Sequence, residues 1–141
     1  MHRSLATLAL LLATAALADT ASPLITAVLA DDLKEIARVV EGGFPVNTAN
    51  NHAWTALHLA AAEGHCESLR VLLEQGAAPR AKTRQHELQA IHLAAQKDFH
   101  ACVKHLLKFG VDAQAKNKYG ETASQLTMDT TTLALLSGKE L

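Results

Sequence analysis

Thr55-Ala56-Leu57-His58-Leu59-Ala60-Ala61 recurs thirty-four residues later as Gln89-Ala90-Ile91-His92-Leu93-Ala94-Ala95. The offset persists beyond these seven positions: Leu72-Leu73-Glu74-Gln75-Gly76 is matched by Leu106-Leu107-Lys108-Phe109-Gly110. Thirty-three residues upstream, Ser22-Pro23-Leu24 and Val39-Val40-Glu41-Gly42-Gly43 fall on the same template. Downstream, Tyr119-Gly120-Glu121-Thr122-Ala123 restarts it before it decays. Self-similarity at a period of 20–50 residues is the mark of a stacked repeat architecture, in which each copy is one supersecondary unit.

Each copy reads as two short helices and a polar loop. Ser22 suits an N-cap with Pro23 in the first turn, and Thr55 and Thr122 can cap in the same way. Gly64 breaks the helix pair of the second copy, and Gly43, Gly76 and Gly110 close the second helices. The polar stretches after them, Pro45–Ala53, Pro79–Glu87 and Asp112–Gly120, are long enough for protruding hairpins.

The pattern resembles the ankyrin-repeat family, whose consensus carries a Thr-Pro-Leu-His-x-Ala-Ala start, a Gly-His break and a Leu-Leu-x-x-Gly-Ala-Asp end. Gly64-His65 and Asn47 also fall on family positions. Departures are Ala at 56, 90 and 123 in place of Pro, and Ser124-Gln125 in place of Leu-His. The third copy carries one extra hairpin residue, and the fourth lacks several residues between Asp129 and Leu133, so its helices should be short. The resemblance implies an all-α solenoid of about four helix-pair repeats over 19–141, at about 19–49, 50–82, 83–116 and 117–141. One helix pair cannot bury its apolar face alone, so about three stacked copies are needed. The end copies should be polar outward, as Asp31, Asp32 and Lys34 and then Thr130, Thr131 and Thr132 are.

Composition agrees. Hydrophobic residues make up 49% of the 141 but aromatics only 4%, which suits a Leu, Ala and Val core of packed helices. A net charge of -1 argues against broad capture of nucleic acid or anionic lipid.

Residues 1–18 read as a cleavable export signal. His2 and Arg3 precede an almost pure Leu/Ala run from Leu5 to Leu17, and Ala16-Leu17-Ala18 offers the small–x–small pattern of signal-peptidase sites. The run is short for a membrane span. No Cys follows the cleavage point, so no lipid anchor is expected. The mature chain, from Asp19, is expected in the periplasm, with secretion as second choice. Gly138-Lys139-Glu140-Leu141 only partly matches an ER-retention signal, and no Asn-x-Ser/Thr sequon occurs.

Eight His invite a metal or catalytic reading, which weakens residue by residue. His58 and His92 fall on the family's Leu-His position, where the imidazole bonds the adjoining loop backbone, and His65 belongs to the Gly-His break. With Gly64, Gly76 and Gly110 they are expected to be structural. His86-Glu87 opens like a zinc-protease helix, but position 90 is Ala where a second His is required. Cys66 and Cys102 occupy core positions, and the favoured reading is two buried thiols without metal. A disulfide is the second reading, since equivalent positions of stacked helices are usually too far apart to bridge. A metal or redox site of Cys66, His100, Cys102 and His105 is the third. No phosphate loop, nucleophile elbow or paired-carboxylate motif is present, so no catalytic residue and no cofactor is expected.

The resemblance implies binding through hairpin tips and the exposed turn of each first helix. By register these present His52, Trp54, Glu63, His86, Leu88, Gln96, Lys97 and Tyr119, with Trp54 and Leu88 as an exposed apolar pair. The alternative for Trp54 is folding back over its own hairpin. The expected function is a non-catalytic, monomeric protein-binding module, with no nucleic acid or membrane partner after signal cleavage. Small exported bacterial ankyrin proteins, which this chain resembles, imply support of an antioxidant enzyme such as catalase. Neutralisation of a secreted toxin, as an immunity protein, is a second binding role. The rival is metal handling or redox chemistry at the His/Cys cluster.

Overall fold

The structure is a computed structural model and describes residues 22–138; the leader read at 1–18 lies outside the described residues. Eight short helices follow in order: α1 (Pro23–Leu29), α2 (Leu33–Glu41), α3 (Ala56–Glu63), α4 (Cys66–Glu74), α5 (Ala90–Gln96), α6 (His100–Lys108), α7 (Ala123–Leu126) and α8 (Thr130–Leu136). Strand pairing among the described residues is limited to one antiparallel bridge, Ala49 with Thr55. Helices of this length are unstable alone in water, so packing must hold them. Packing is by layer: α1, α3, α5 and α7 stack on one another, as do α2, α4, α6 and α8. The fold is all-α and repetitive.

Burial explains the two layers. Ala56 through Ala62 of α3 are all buried, as are Ala90 through Ala95 of α5. A helix apolar on every side must be covered on every side, and small Ala side chains let neighbours approach closely. The second helices bury one stripe only: Ile36 and Val39 in α2, Leu69, Leu72 and Leu73 in α4, and Val103 and Leu106 in α6. The last copy is the abbreviated one, with α7 reduced to four residues.

Sequence-encoded caps set the boundaries. The Ser22 hydroxyl accepts from the Ile25 N–H, with Pro23 in the first turn, and Asp32 and Asp129 cap α2 and α8. Helices α2, α4 and α6 end alike, with a left-handed glycine (Gly43, Gly76, Gly110) one residue beyond the cap. Around it, Phe44 N–H donates to Val39 O, Ala77 to Leu72 O, and Val111 to Leu106 O. This is the six-to-one bond of the Schellman ending, which launches each hairpin.

The turn inside each helix pair also passes through the left-handed region, at Asp31 (φ 51°), Gly64 (φ 75°) and Asp98 (φ 58°). Asp is among the residues that tolerate this conformation. Both aspartates also reach the next copy: Asp31 accepts from the Ser68 hydroxyl at 2.5 Å, and Asp98 from the Thr127 hydroxyl. Gly64 is dictated by space as well, since a Cβ there would lie 2.7 Å from the Phe99 ring.

Cys66 and Cys102 form a disulfide, with Cα atoms 4.6 Å apart. The expectation of two free thiols is therefore corrected. The cysteines are not equivalent positions of their copies. Cys102 lies two residues beyond the counterpart of Cys66, and two residues turn a helix by about 200°. One side chain thus faces forward along the stack and the other faces back.

Candidate interaction surface

The hairpin edge is built upward from two buried histidines. His58 is 1% exposed; its Nδ1 accepts from the Thr55 N–H at 3.0 Å. With Nδ1 an acceptor, Nε2 carries the proton, and it donates to the carbonyls of Ala81 (2.9 Å) and Leu88 (3.1 Å). Both carbonyls lie at the base of the second hairpin. His92 repeats the arrangement one copy on, accepting from Gln89 N–H and donating to Ala115 O at 2.9 Å. Burial disfavours the charged imidazole, which holds His58 down at about 4 and His92 below its usual value. The structural roles expected of both are found. In the last copy Gln125 stands in for the His ring nitrogen, its Oε1 accepting from Thr122 N–H at 2.8 Å.

Side-chain acceptors shape the tips. Asn50 Oδ1 accepts from the N–H groups of His52 and Trp54, and Asn117 Oδ1 from those of Tyr119 and Glu121. Thr83 serves the middle hairpin, its hydroxyl accepting from Leu88 N–H. Neighbouring tips are tied by backbone bonds, Arg84 N–H to His52 O and Lys118 N–H to His86 O. His86 Nδ1 also lies 2.6 Å from the Tyr119 hydroxyl. His52, His86 and Tyr119 therefore share one continuous edge, and Glu63 and Lys97 are exposed at the ends of α3 and α5.

Three expected contact residues are not available there. Trp54 is 3% exposed and Leu88 1%, so the apolar pair expected at the tips belongs to the core. Trp54 packs on His58, ring centroids 5.8 Å apart, and walls a cavity of about 40 Å³ with Leu24, Ile25, Phe44 and Ala56. Each of the two precedes its helix N-cap by one residue, with Leu59 or Leu93 at the fourth helical position. That is the hydrophobic-staple arrangement, a signal legible in the sequence. The third is Gln96, whose amide oxygen and nitrogen are sealed from solvent without a hydrogen-bond partner among the described residues.

The proposed metal or redox set is also altered. Its two sulfurs are bonded to each other, which removes both thiolates. His100 instead meets Asp129 at 2.6 Å and His105 meets Glu67 at 3.7 Å. Among the described residues no group of three or more His, Cys, Asp or Glu could hold a metal ion.

Comparison with known families matches residues 2–83 to a model of ankyrin repeats in three copies, and residues 88–118 to a single ankyrin repeat. The chain belongs to the ankyrin-repeat family. Ankyrin repeats indicate a protein–protein interaction module, and the family is generally non-catalytic. The first match runs across the stretch read as a leader.

Proposed function

We propose that the mature chain is an exported, monomeric and non-catalytic binding protein, whose partner docks on the hairpin edge and the ends of the first helices. The observation that carries this reading is the edge itself. Buried His58 and His92 fix the hairpin bases, and cross-tip bonds fix the tips, so His52, His86 and Tyr119 are presented with little freedom left to lose on binding. The disulfide supports an oxidising compartment, for which the periplasm is our reading. Support of an antioxidant enzyme such as catalase, or neutralisation of a secreted toxin, are the two partner roles proposed.

The test is affinity capture from periplasmic extract with the chain starting at Asp19. One protein should be retained in stoichiometric amount. It should be lost with His52→Ala/Tyr119→Ala and kept with the outer-helix change Lys104→Ala/Lys108→Ala. Catalase activity in the eluate would select the first partner role, and a toxin whose activity the chain blocks would select the second. A partner lost only with the outer-helix change, or none at all, contradicts the docking surface.

A further inference from the structure

The near-neutral net charge conceals a division along the solenoid. Residues 79–118 hold eight Lys and Arg against three Asp and Glu, a net of +5, whereas residues 22–78 hold three against seven, a net of -4. In the acidic part cations are engaged: Arg38 pairs with Glu35, and Arg70 with both Glu67 and Glu74. In the basic part no Lys or Arg forms an ion pair with a described residue.

Four of these cations hold matched places on consecutive hairpins. Lys82 and Arg84 flank Thr83, and thirty-four residues on, Lys116 and Lys118 flank Asn117. Thr83 and Asn117 are the buried residues whose side chains shape the two tips, and all four flanking cations are exposed. Lys118 N–H bonds to His86 O, which brings the second pair onto the same edge as the first. The charge of Lys118 adds to partial burial in depressing His86 below its usual value, so the tip sits in a positive field. The hairpin before them offers only the neutral Asn47, Asn50 and Asn51 and His52.

We infer that Lys82, Arg84, Lys116 and Lys118 form the subsite for an acidic polypeptide segment, a short run of Asp and Glu in the partner. This rests on the reading of the chain as a protein-binding module and specifies which side of a partner it takes. A protein segment fits better than nucleic acid on two grounds. The cations span two hairpins only, whereas duplex DNA carries one charge per about 1.7 Å. Tyr119, the aromatic side chain at the tips, already bonds His86 rather than standing free as a stacking platform.

The probes are a ten-residue oligoglutamate peptide, its oligolysine counterpart and a single-stranded oligonucleotide, each titrated into the full mature chain at about 50 mM salt. Oligoglutamate should bind, oligolysine should not, and raising the salt should weaken binding, since exposed charges are screened beyond about 10 Å at 0.1 M. Lys82→Glu/Lys118→Glu should weaken oligoglutamate at least tenfold. Lys104→Glu/Lys108→Glu, the same charge change on the outer face of α6, should weaken it less than threefold. No oligoglutamate binding, equal loss in the two variants, or tighter binding of the oligonucleotide would overturn the inference. Those failures leave the docking surface standing if partner capture still depends on His52 and Tyr119. Loss of that dependence, with oligoglutamate still bound at the subsite, would instead sink the docking surface alone.

Discussion

The imidazole of His58 donates to the carbonyl of Leu88, thirty residues away and in the next repeat, at 3.1 Å. The same ring nitrogen serves Ala81 O, and the other nitrogen accepts from its own helix start, so one neutral side chain joins two copies. Protonating it would turn the acceptor Nδ1 into a second donor facing the Thr55 N–H.

This arrangement predicts acid sensitivity. The folded pKa of His58 is about 4 against 6.5 for the free side chain, so the unfolded chain binds the proton more readily. Stability contributed by the neutral form is present above about 6.5 and is lost as the pH falls towards 4. The difference corresponds to roughly 3 kcal/mol at about 1.4 kcal/mol per unit. His92 acts in the same direction. Urea unfolding between pH 7 and 4 should show this decline, and His58→Gln should flatten it while lowering stability at pH 7. An unchanged slope in that variant contradicts the role.

The disulfide closes a loop across a sequence separation of 36 between α4 and α6. Chain-entropy arguments assign such a crosslink about 3–4 kcal/mol. The denatured, unreduced monomer should show no free thiol, and Cys66→Ser/Cys102→Ala should melt well below the wild type. Two titratable thiols would contradict the bond.

Trp54→Ala should now be a stability mutation. Its ring is buried between α1 and the first hairpin, and truncating a buried Trp costs about 3–5 kcal/mol. Leu88→Ala should cost about 2–5 kcal/mol. Trp54 fluorescence should be blue-shifted in the folded state and poorly quenched by iodide. Red-shifted, quenchable emission would return Trp54 to the surface.

Gly64→Ala tests the turn inside the second copy, where a left-handed φ and the Phe99 ring coincide. Loss of about 1–3 kcal/mol is expected. Gly76→Ala meets no atom within 4 Å and should cost only the backbone strain. Equal costs measured by denaturant unfolding would show that Phe99 moves freely.

Much of this was readable from sequence because repetition multiplies a weak local signal. Thr55, His58 and Gly76 mean little alone, but Gln89, His92 and Gly110 restate them. The failures came where register was trusted over chemistry. Trp54 and Leu88 were placed outward by their position beside the hairpin tips, although each stands before an N-cap in a staple arrangement. Cys66 and Cys102 were held apart because equivalent positions do not bridge, yet they are not equivalent. Gln125 had no counterpart in the repeat pattern and took over a histidine's backbone contact through its own amide oxygen. The binding surface was least legible, since repeats fix the scaffold while leaving the exposed residues free to vary.

The central claim is that the partner lies along the hairpin edge. Hydrogen–deuterium exchange of the mature chain, with and without its captured partner, tests it most directly. Protection should appear at 50–53, 84–87 and 117–121 and at the exposed ends of α3 and α5, with α2, α4 and α6 unchanged. Protection confined to those outer helices would contradict the account.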